Sequence, residues 1–283
     1  MPPGSRSLGV WESVALGILQ GLTEFLPVSS SGHLVVVQSF IEGFEQPGVL
    51  FDAMVHFGTL LAVVVYFRRD LSGMLRACLP GADEQPASLF GGETVSPGTV
   101  RKLVIYLVVA TLVTATVGLA FSETIYRLFE SVQTVAIMLL VTGALLFLSD
   151  HIGIHSRGLK DLRLKEALIL GLAQSFALIP GISRSGTTIA VGIFLGLKGE
   201  AAARFSFLMA IPAVLGATML EMRHAATIAL DMMVIYALGT IVAAVVGLLT
   251  IKLLMFVVGR RNLRYFSYYC WTVALLLFII TTL

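Results

Sequence analysis

Two polar stretches interrupt an otherwise apolar chain, and their side chains are of the kinds that handle phosphate. Residues 20–33 read QGLTEFLPVSSSGH and residues 174–188 read QSFALIPGISRSGTT. The first carries the carboxylate of Glu24, the hydroxyls of Ser29, Ser30 and Ser31, Gly32 and the imidazole of His33. The second offers Ser183, Arg184, Ser185, Thr187 and Thr188. Hydroxyls beside a planar guanidinium fork suit bidentate binding of a phosphate. A carboxylate and an imidazole add groups that move protons. The combination is an anion site with chemistry in it.

Each stretch follows an apolar run, meets a proline (Pro27 or Pro180), and leads into a second apolar run. A helix starting near Ser30–Gly32, and another near Ser183–Ser185, would turn unpaired N–H groups and positive dipole ends toward the break. That favours phosphate before any side chain is counted. An arginine at membrane depth marks a functional site by default, and Glu24 there needs a partner or a metal. Simpler roles stand beside these. The serines suit N-caps, His33 an interhelical hydrogen bond, Thr187 and Thr188 bonds to their own helix, and Glu24 a structural pair with Arg184. His56, Asp52 and Glu221 lie near the ends of apolar runs, where solvation at the interface accounts for them.

The elements that must position these groups belong in a membrane. The chain of 283 residues is 57% hydrophobic and 13% charged, with mean hydropathy +0.92, far from the composition of a soluble domain. Apolar stretches able to cross ~30 Å of hydrocarbon fall at 50–68, 100–121, 132–149, 201–221, 233–257 and 264–282. Two more, 10–41 and 164–197, are broken at the prolines and read as re-entrant hairpins of two short helices. Broken backbone survives in a bilayer only inside protein or beside a wet cavity. Two such breaks in corresponding halves point to a binding site near the midplane.

With both hairpins returning to the side they enter, all 19 Lys and Arg except Arg6, Arg127, Arg223 and Arg184 fall on one side of the membrane, a strong positive-inside pattern. Both termini then lie outside, and the loops at 70–99 and 150–163 lie in the cytoplasm. The halves have opposite orientation and match at an offset of 154: Glu12 with Glu166, Gly17 with Gly171, Gln20 with Gln174, Gly32 with Gly186, Phe51 with Phe205. The prolines slip by one. The predicted architecture is therefore an all-α integral membrane protein, six transmembrane helices plus two re-entrant hairpins in an inverted-topology repeat. Residues 1–149 form the first repeat and 150–283 the second, within one membrane domain. Pro80 to Pro97 is rich in turn formers and reads as a flexible cytoplasmic loop. Cys78 and Cys270 are placed too differently to pair, and Glu12 after Trp11 argues against a cleavable signal. The net charge of +2 follows membrane sidedness and gives no reason to expect nucleic acid.

At this point QGLTEFLPVSSSGH resembles the acidic-plus-PVSSxGH signature of the bacterial undecaprenyl-diphosphate phosphatases of the BacA/UppP type, and PGISRSGTT is similar to their PGxSRSxxT signature. FDAMVHFGTLLAVVVYFR resembles their first full span, and the likeness covers essentially the whole chain. The resemblance implies a metal-dependent membrane phosphatase that removes one phosphate from undecaprenyl diphosphate. That reaction recycles the cell-wall lipid carrier and confers bacitracin resistance. It maps the catalytic set onto Glu24, Ser30, His33 and Arg184. Read from the residues, Ser30 is the nucleophile with His33, three residues on, as its proton partner, or else a phosphate ligand beside a metal-activated water, and Arg184 clamps the diphosphate. Ser29, Ser31, Gly32, Ser183, Ser185 and Thr188 would line the substrate. Gln20 stands where many members have Glu, so the expected site for Mg²⁺ or Ca²⁺ is Glu24 with the neutral oxygen of Gln20. The expected setting is the bacterial inner membrane with the site opening to the outer face, the expected partners are the polyprenyl diphosphate and the bilayer, and a homodimer is a possible assembly. A flippase or anion transporter using the same midplane site is the alternative. The carboxylate speaks against simple anion binding, because like charges repel.

Overall fold

Serine and proline punctuation sets the helix ends. The computed structural model describes residues 8–39, 50–81, 85–129, 131–151, 156–222, 230–260 and 262–282. Twelve α-helices order them: α1 (Val10–Thr23), α2 (Ser30–Ser39), α3 (Leu50–Tyr66), α4 (Arg68–Cys78), α5 (Pro97–Ala120), α6 (Ser122–Leu128), α7 (Val132–His151), α8 (Leu164–Phe176), α9 (Arg184–Phe194), α10 (Gly199–Met222), α11 (Leu230–Gly259) and α12 (Arg264–Thr282). At α5, Ser96 accepts the amide of Thr99 with its Oγ at 3.3 Å and Pro97 occupies the first turn, where its missing N–H costs nothing.

Among the described residues, five helices are long and apolar enough to cross a membrane: Pro97–Ala120, Val132–His151, Gly199–Leu220, Met232–Gly259 and Arg264–Thr281. They answer to five of the six expected spans. The sixth, expected over 50–68, is the 17-residue α3, which bends by 74° into α4. Seventeen residues lie at the short end of what spans hydrocarbon. Both broken stretches appear as pairs of short helices, α1 with α2 and α8 with α9; residues 40 and 41 of the first stretch lie outside the described residues, as do Arg6 and Arg223 and the side chain of Glu221.

Packing follows a paired plan. Helix α1 lies along α11 as α8 lies along α5, while α3 packs on α10 and α7 on α12. Lipid is as apolar as leucine, so helices in a bilayer associate through close backbone approach at small residues. Gly17 and Gly171, matched in the sequence, do this in the same way. A β-carbon on Gly17 would lie 2.6 Å from the carbonyl oxygen of Gly239 on α11, and one on Gly171 2.7 Å from that of Ala110 on α5. Leu112, Leu119, Val234, Leu253 and Ile280 face outward. Beneath the first break, Phe25 meets Phe207 edge-on at 5.4 Å, and Phe67 lies 6.0 Å from the same ring.

The stretch Pro80 to Pro97 departs from expectation. It holds an antiparallel hairpin of β1 (Ala87–Leu89) and β2 (Glu93–Val95), with Ala87 opposite Val95; residues 82–84 lie outside the described residues. The turn formers expected as a flexible loop instead close the hairpin, with positive φ at Phe90, Gly91 and Gly92. What the pattern hid is the anchoring. Leu89, Phe90 and Val95 are buried, the amide of Phe90 donates to Asp70 Oδ1 at 2.8 Å, and Arg204 on α10 bonds the other oxygen of Asp70 at 3.0 Å. Nearby, burial raises the Glu166 carboxyl, but bonds from the Arg157 guanidinium and the Arg163 amide hold it below its ordinary range.

Candidate active site

Both breaks are built from the same local hydrogen bonds. Ser29 Oγ accepts the amide of Gly32 at 3.3 Å, and Ser183 Oγ accepts that of Gly186 at 3.0 Å. The next amide in each helix, His33 or Thr187, bonds the carbonyl of Ser29 or Ser183. The hydroxyls of Ser29 and Ser31 stand 3.4 Å apart, and those of Ser183 and Ser185 3.2 Å. These are N-caps, related by the offset of 154 residues.

The backbone around them differs. Ser183 caps with ordinary extended geometry at φ −72°, whereas Ser29 has φ +70°. A left-handed conformation costs a residue with a β-carbon roughly 1–2 kcal/mol. In the second break the left-handed residue is Gly181 at φ +92°, where a β-carbon would lie 2.5 Å from the carbonyl oxygen of Val135. Thr142 on α7 stitches this loop, donating to the carbonyl of Gly181 and accepting from the amide of Ser183, both at 3.0 Å. The breaks touch: a β-carbon on Gly32 would lie 3.2 Å from Cα of Gly181.

Glu24, one residue past α1, is the point where they converge. Its Oε1 accepts Arg184 Nη2 at 2.7 Å. Its Oε2 accepts the hydroxyl of Ser30 at 2.6 Å and the amide nitrogen of Gln20, one turn back, at 3.0 Å. His56 on α3 brings Nε2 to 3.6 Å from the same oxygen, with Nδ1 2.7 Å from the carbonyl of Asp52. The Glu24 side chain is 7% exposed and that of Arg184 17%. A buried pair of this kind adds little net stability, but removing one partner strands a charge at a cost of about 3–5 kcal/mol.

The structure thus unites Glu24, Ser30 and Arg184, as expected, and adds His56, which had been read as an interfacial group. Ser30 and His33 do not pair. Ser30 turns to the Glu24 carboxylate, while His33 Nδ1 lies 2.7 Å from the Ser29 carbonyl and Nε2 2.8 Å from the hydroxyl of Tyr269 on α12. Sequence spacing put them on one side of a helix; the stronger acceptor, a carboxylate six residues back, claims the serine. The signal for His56 was a polar residue inside an apolar span. Tyr269 gave none, because tyrosines near a span end read as an interfacial belt.

Among the expected substrate contacts, Ser31 is half-buried, as is Ser30 beside it, whereas Ser29, Gly32, Ser183, Ser185 and Thr188 are buried. Ser185 donates to the carbonyl of Leu26 at 3.2 Å. The hydroxyl of Thr188 donates to the carbonyl of Arg184 at 2.8 Å and lies 2.6 Å from the hydroxyl of Ser206. These side chains hold the helix starts together.

For a divalent cation, the described residues include no group of three His, Cys, Asp or Glu placed to hold one. One observation does fit: Gln20 Oε1 is buried without a hydrogen-bond partner one turn from Glu24. Magnesium is often bound through one or two carboxylates with the rest of its shell from water and substrate phosphate; Glu24 supplies one carboxylate, and Gln20, whose amide nitrogen faces Glu24, would add its oxygen with the amide turned over.

Comparison with known proteins places the whole chain in one family. The family model described as bacitracin resistance protein BacA matches residues 13–276. The chain is similar to the undecaprenyl-diphosphatase of Syntrophotalea carbinolica, 44% identical over 270 residues that cover 95% of this chain and 98% of the relative. It is also similar to those of Halothermothrix orenii, 38% identical with 96% and 98% covered, and Korarchaeum cryptofilum, 42% identical with 92% and 94% covered.

Proposed function

The chain belongs to the BacA family of bacitracin resistance proteins, and we propose that it is an integral membrane undecaprenyl-diphosphatase. It cleaves the terminal phosphate from undecaprenyl diphosphate and returns the cell-wall lipid carrier to its monophosphate, the activity behind bacitracin resistance. The observation that carries this reading is Glu24, which takes the Ser30 hydroxyl on one oxygen and the Arg184 guanidinium on the other. A nucleophile, its proton acceptor and a phosphate clamp share one cluster around a buried carboxylate.

The reaction follows from that geometry. A serine hydroxyl becomes a competent nucleophile when an adjacent base takes its proton. Ser30 Oγ bonds to the terminal phosphorus, the anhydride P–O bond breaks, and undecaprenyl phosphate leaves. The Ser30 proton passes to Glu24 Oε2. Water then attacks the phosphoserine, one of its protons restoring the Ser30 hydroxyl as inorganic phosphate leaves, and Glu24 gives up its proton to solvent. Arg184 orients the diphosphate and stabilises the charge on the transferring group, the main contributions a protein makes to phosphoryl transfer. Ser31 and the backbone at Gly32 complete the phosphate-facing wall, and Ser29, Ser183, Ser185 and Thr188 hold its shape. Glu24 and Gln20 Oε1 would hold Mg²⁺ or Ca²⁺, which when bound neutralises charge on the diphosphate.

In the membrane, each broken stretch is a re-entrant hairpin. Its helices, of 14 and 10 residues in one case and 13 and 11 in the other, are too short to span at ~1.5 Å per residue. The inverted repeat is supported by the paired packing of α1 on α11 and α8 on α5. The distribution of Lys and Arg supports an inner-membrane orientation with the site opening outward. A transporter would use the same convergence of helix starts; the carboxylate bonded to a serine hydroxyl favours hydrolysis.

The test is direct. Folded protein in detergent, supplied with Mg²⁺ or Ca²⁺, should release phosphate from undecaprenyl diphosphate. No release with any divalent cation overturns the assignment.

A further inference from the structure

His33 is tied at both ring nitrogens, and the two ties have different reach. Nδ1 lies 2.7 Å from the Ser29 carbonyl, a bond within its own helix start. In the neutral ring that nitrogen carries the hydrogen, which leaves Nε2 as the acceptor. Nε2 is met at 2.8 Å by the hydroxyl of Tyr269, 236 residues away on α12. The two rings lie nearly parallel, 9° apart in plane with centroids at 5.7 Å.

The chain of bonds ends at a sensitive place. The Ser29 carbonyl belongs to the peptide that joins Ser29 to Ser30. Ser29 itself is held at φ +70°, a conformation that persists only where its surroundings impose it. That peptide plane aims the Ser30 hydroxyl at Glu24, across 2.6 Å. Its counterpart in the other break needs no such support. Ser183 is at φ −72°, and the residue at the place of His33 is Thr187, whose buried hydroxyl has no hydrogen-bond partner.

We propose that Tyr269 is a positioning residue for hydrolysis, its hydroxyl acting through His33 to fix the peptide ahead of Ser30. This rests on the phosphatase reading above and goes beyond it by assigning a residue on the last helix. A small misplacement of a reacting group lowers turnover without weakening substrate binding, so the effect falls on kcat.

The experiment compares Tyr269→Phe, Tyr269→Leu, His33→Ala and the double variant His33→Ala/Tyr269→Phe in a phosphate-release assay on undecaprenyl diphosphate. Tyr269→Phe keeps the ring and removes only the hydroxyl. It should lower kcat ~10-fold with KM nearly unchanged, and Tyr269→Leu should be impaired to the same degree. The double variant should be no slower than His33→Ala alone, because both changes cut one chain. Wild-type kcat in Tyr269→Phe, or losses that multiply in the double variant, overturns the proposal and leaves the phosphatase reading standing. Full turnover in Tyr269→Phe with loss only in Tyr269→Leu also overturns it, since the contact is then packing. An inactive wild-type protein overturns the function and this proposal together.

Discussion

At the start of α2 the residue after the capping serine is Ser30; at the start of α9 it is Arg184. Related by the offset of 154, these two reach the same carboxylate from opposite sides, Ser30 at 2.6 Å from Oε2 and Arg184 at 2.7 Å from Oε1. Glu24 itself is not duplicated, because the corresponding position holds Leu178. The caps, the close glycine contacts and the short helices occur twice; the carboxylate, the nucleophile and the cation occur once. The difference teaches that frame and chemistry are separable. Two helix starts capped in the same way converge on Glu24, and in the proposed mechanism the different residues at equivalent positions make one the reacting arm and the other the charge-bearing arm.

Breaking the reacting arm should have the largest effect. Ser30→Ala removes the hydroxyl from an otherwise intact frame, so turnover should fall below detection while thermal stability in detergent is unchanged. Residual turnover of a few per cent would instead indicate direct attack by water. The charge-bearing arm comes next. Arg184→Ala should lower turnover ~10²–10³-fold, the usual cost of losing one aimed charge-stabilising group, and weaken substrate affinity. Arg184→Lys keeps the charge without the fork and should also be severely impaired. Near-full turnover in Arg184→Ala with unchanged affinity would remove it from the mechanism.

Two smaller changes sharpen the line between frame and chemistry. Gln20→Glu places a second carboxylate one turn from Glu24, so the Mg²⁺ concentration for half-maximal activity should fall several-fold. An unchanged or higher value would place the cation elsewhere. Ser183→Ala removes a cap from the arm that lacks the nucleophile. It should cost about 1 kcal/mol of stability, read as a lower melting temperature, with turnover within a few-fold of wild type. A loss of activity as deep as that of Arg184→Ala would show that the frame cannot be separated.

Much of this was legible in the sequence because each clue was local. Serine caps, prolines and glycine placed both breaks, and a lone glutamate and arginine in apolar text announced each other. The family resemblance singled out Ser30. Unreadable were contacts made between distant segments. His56 approaches Glu24 from α3 and Tyr269 approaches His33 from α12, and neither pairing has a spacing to read. The serine–histidine pairing failed for the same reason: helical spacing described neighbours correctly but omitted the carboxylate folded back at the break. The slip between Pro27 and Pro180 also has its explanation in the structure. Pro27 aligns with Gly181, the position where the second loop turns left-handed against α7, and the first loop makes its left-handed turn two residues later, at Ser29.

The central claim is that covalent chemistry resides in the first break alone. Rapid quenching of a single turnover with substrate labelled in its terminal phosphate, followed by peptide mapping, tests it most directly. The account predicts transient label on Ser30, rising before free phosphate and then decaying, with none on Ser183 or Ser185. Free phosphate that accumulates through the turnover with no label on Ser30, or label on a serine of the second break, would contradict it.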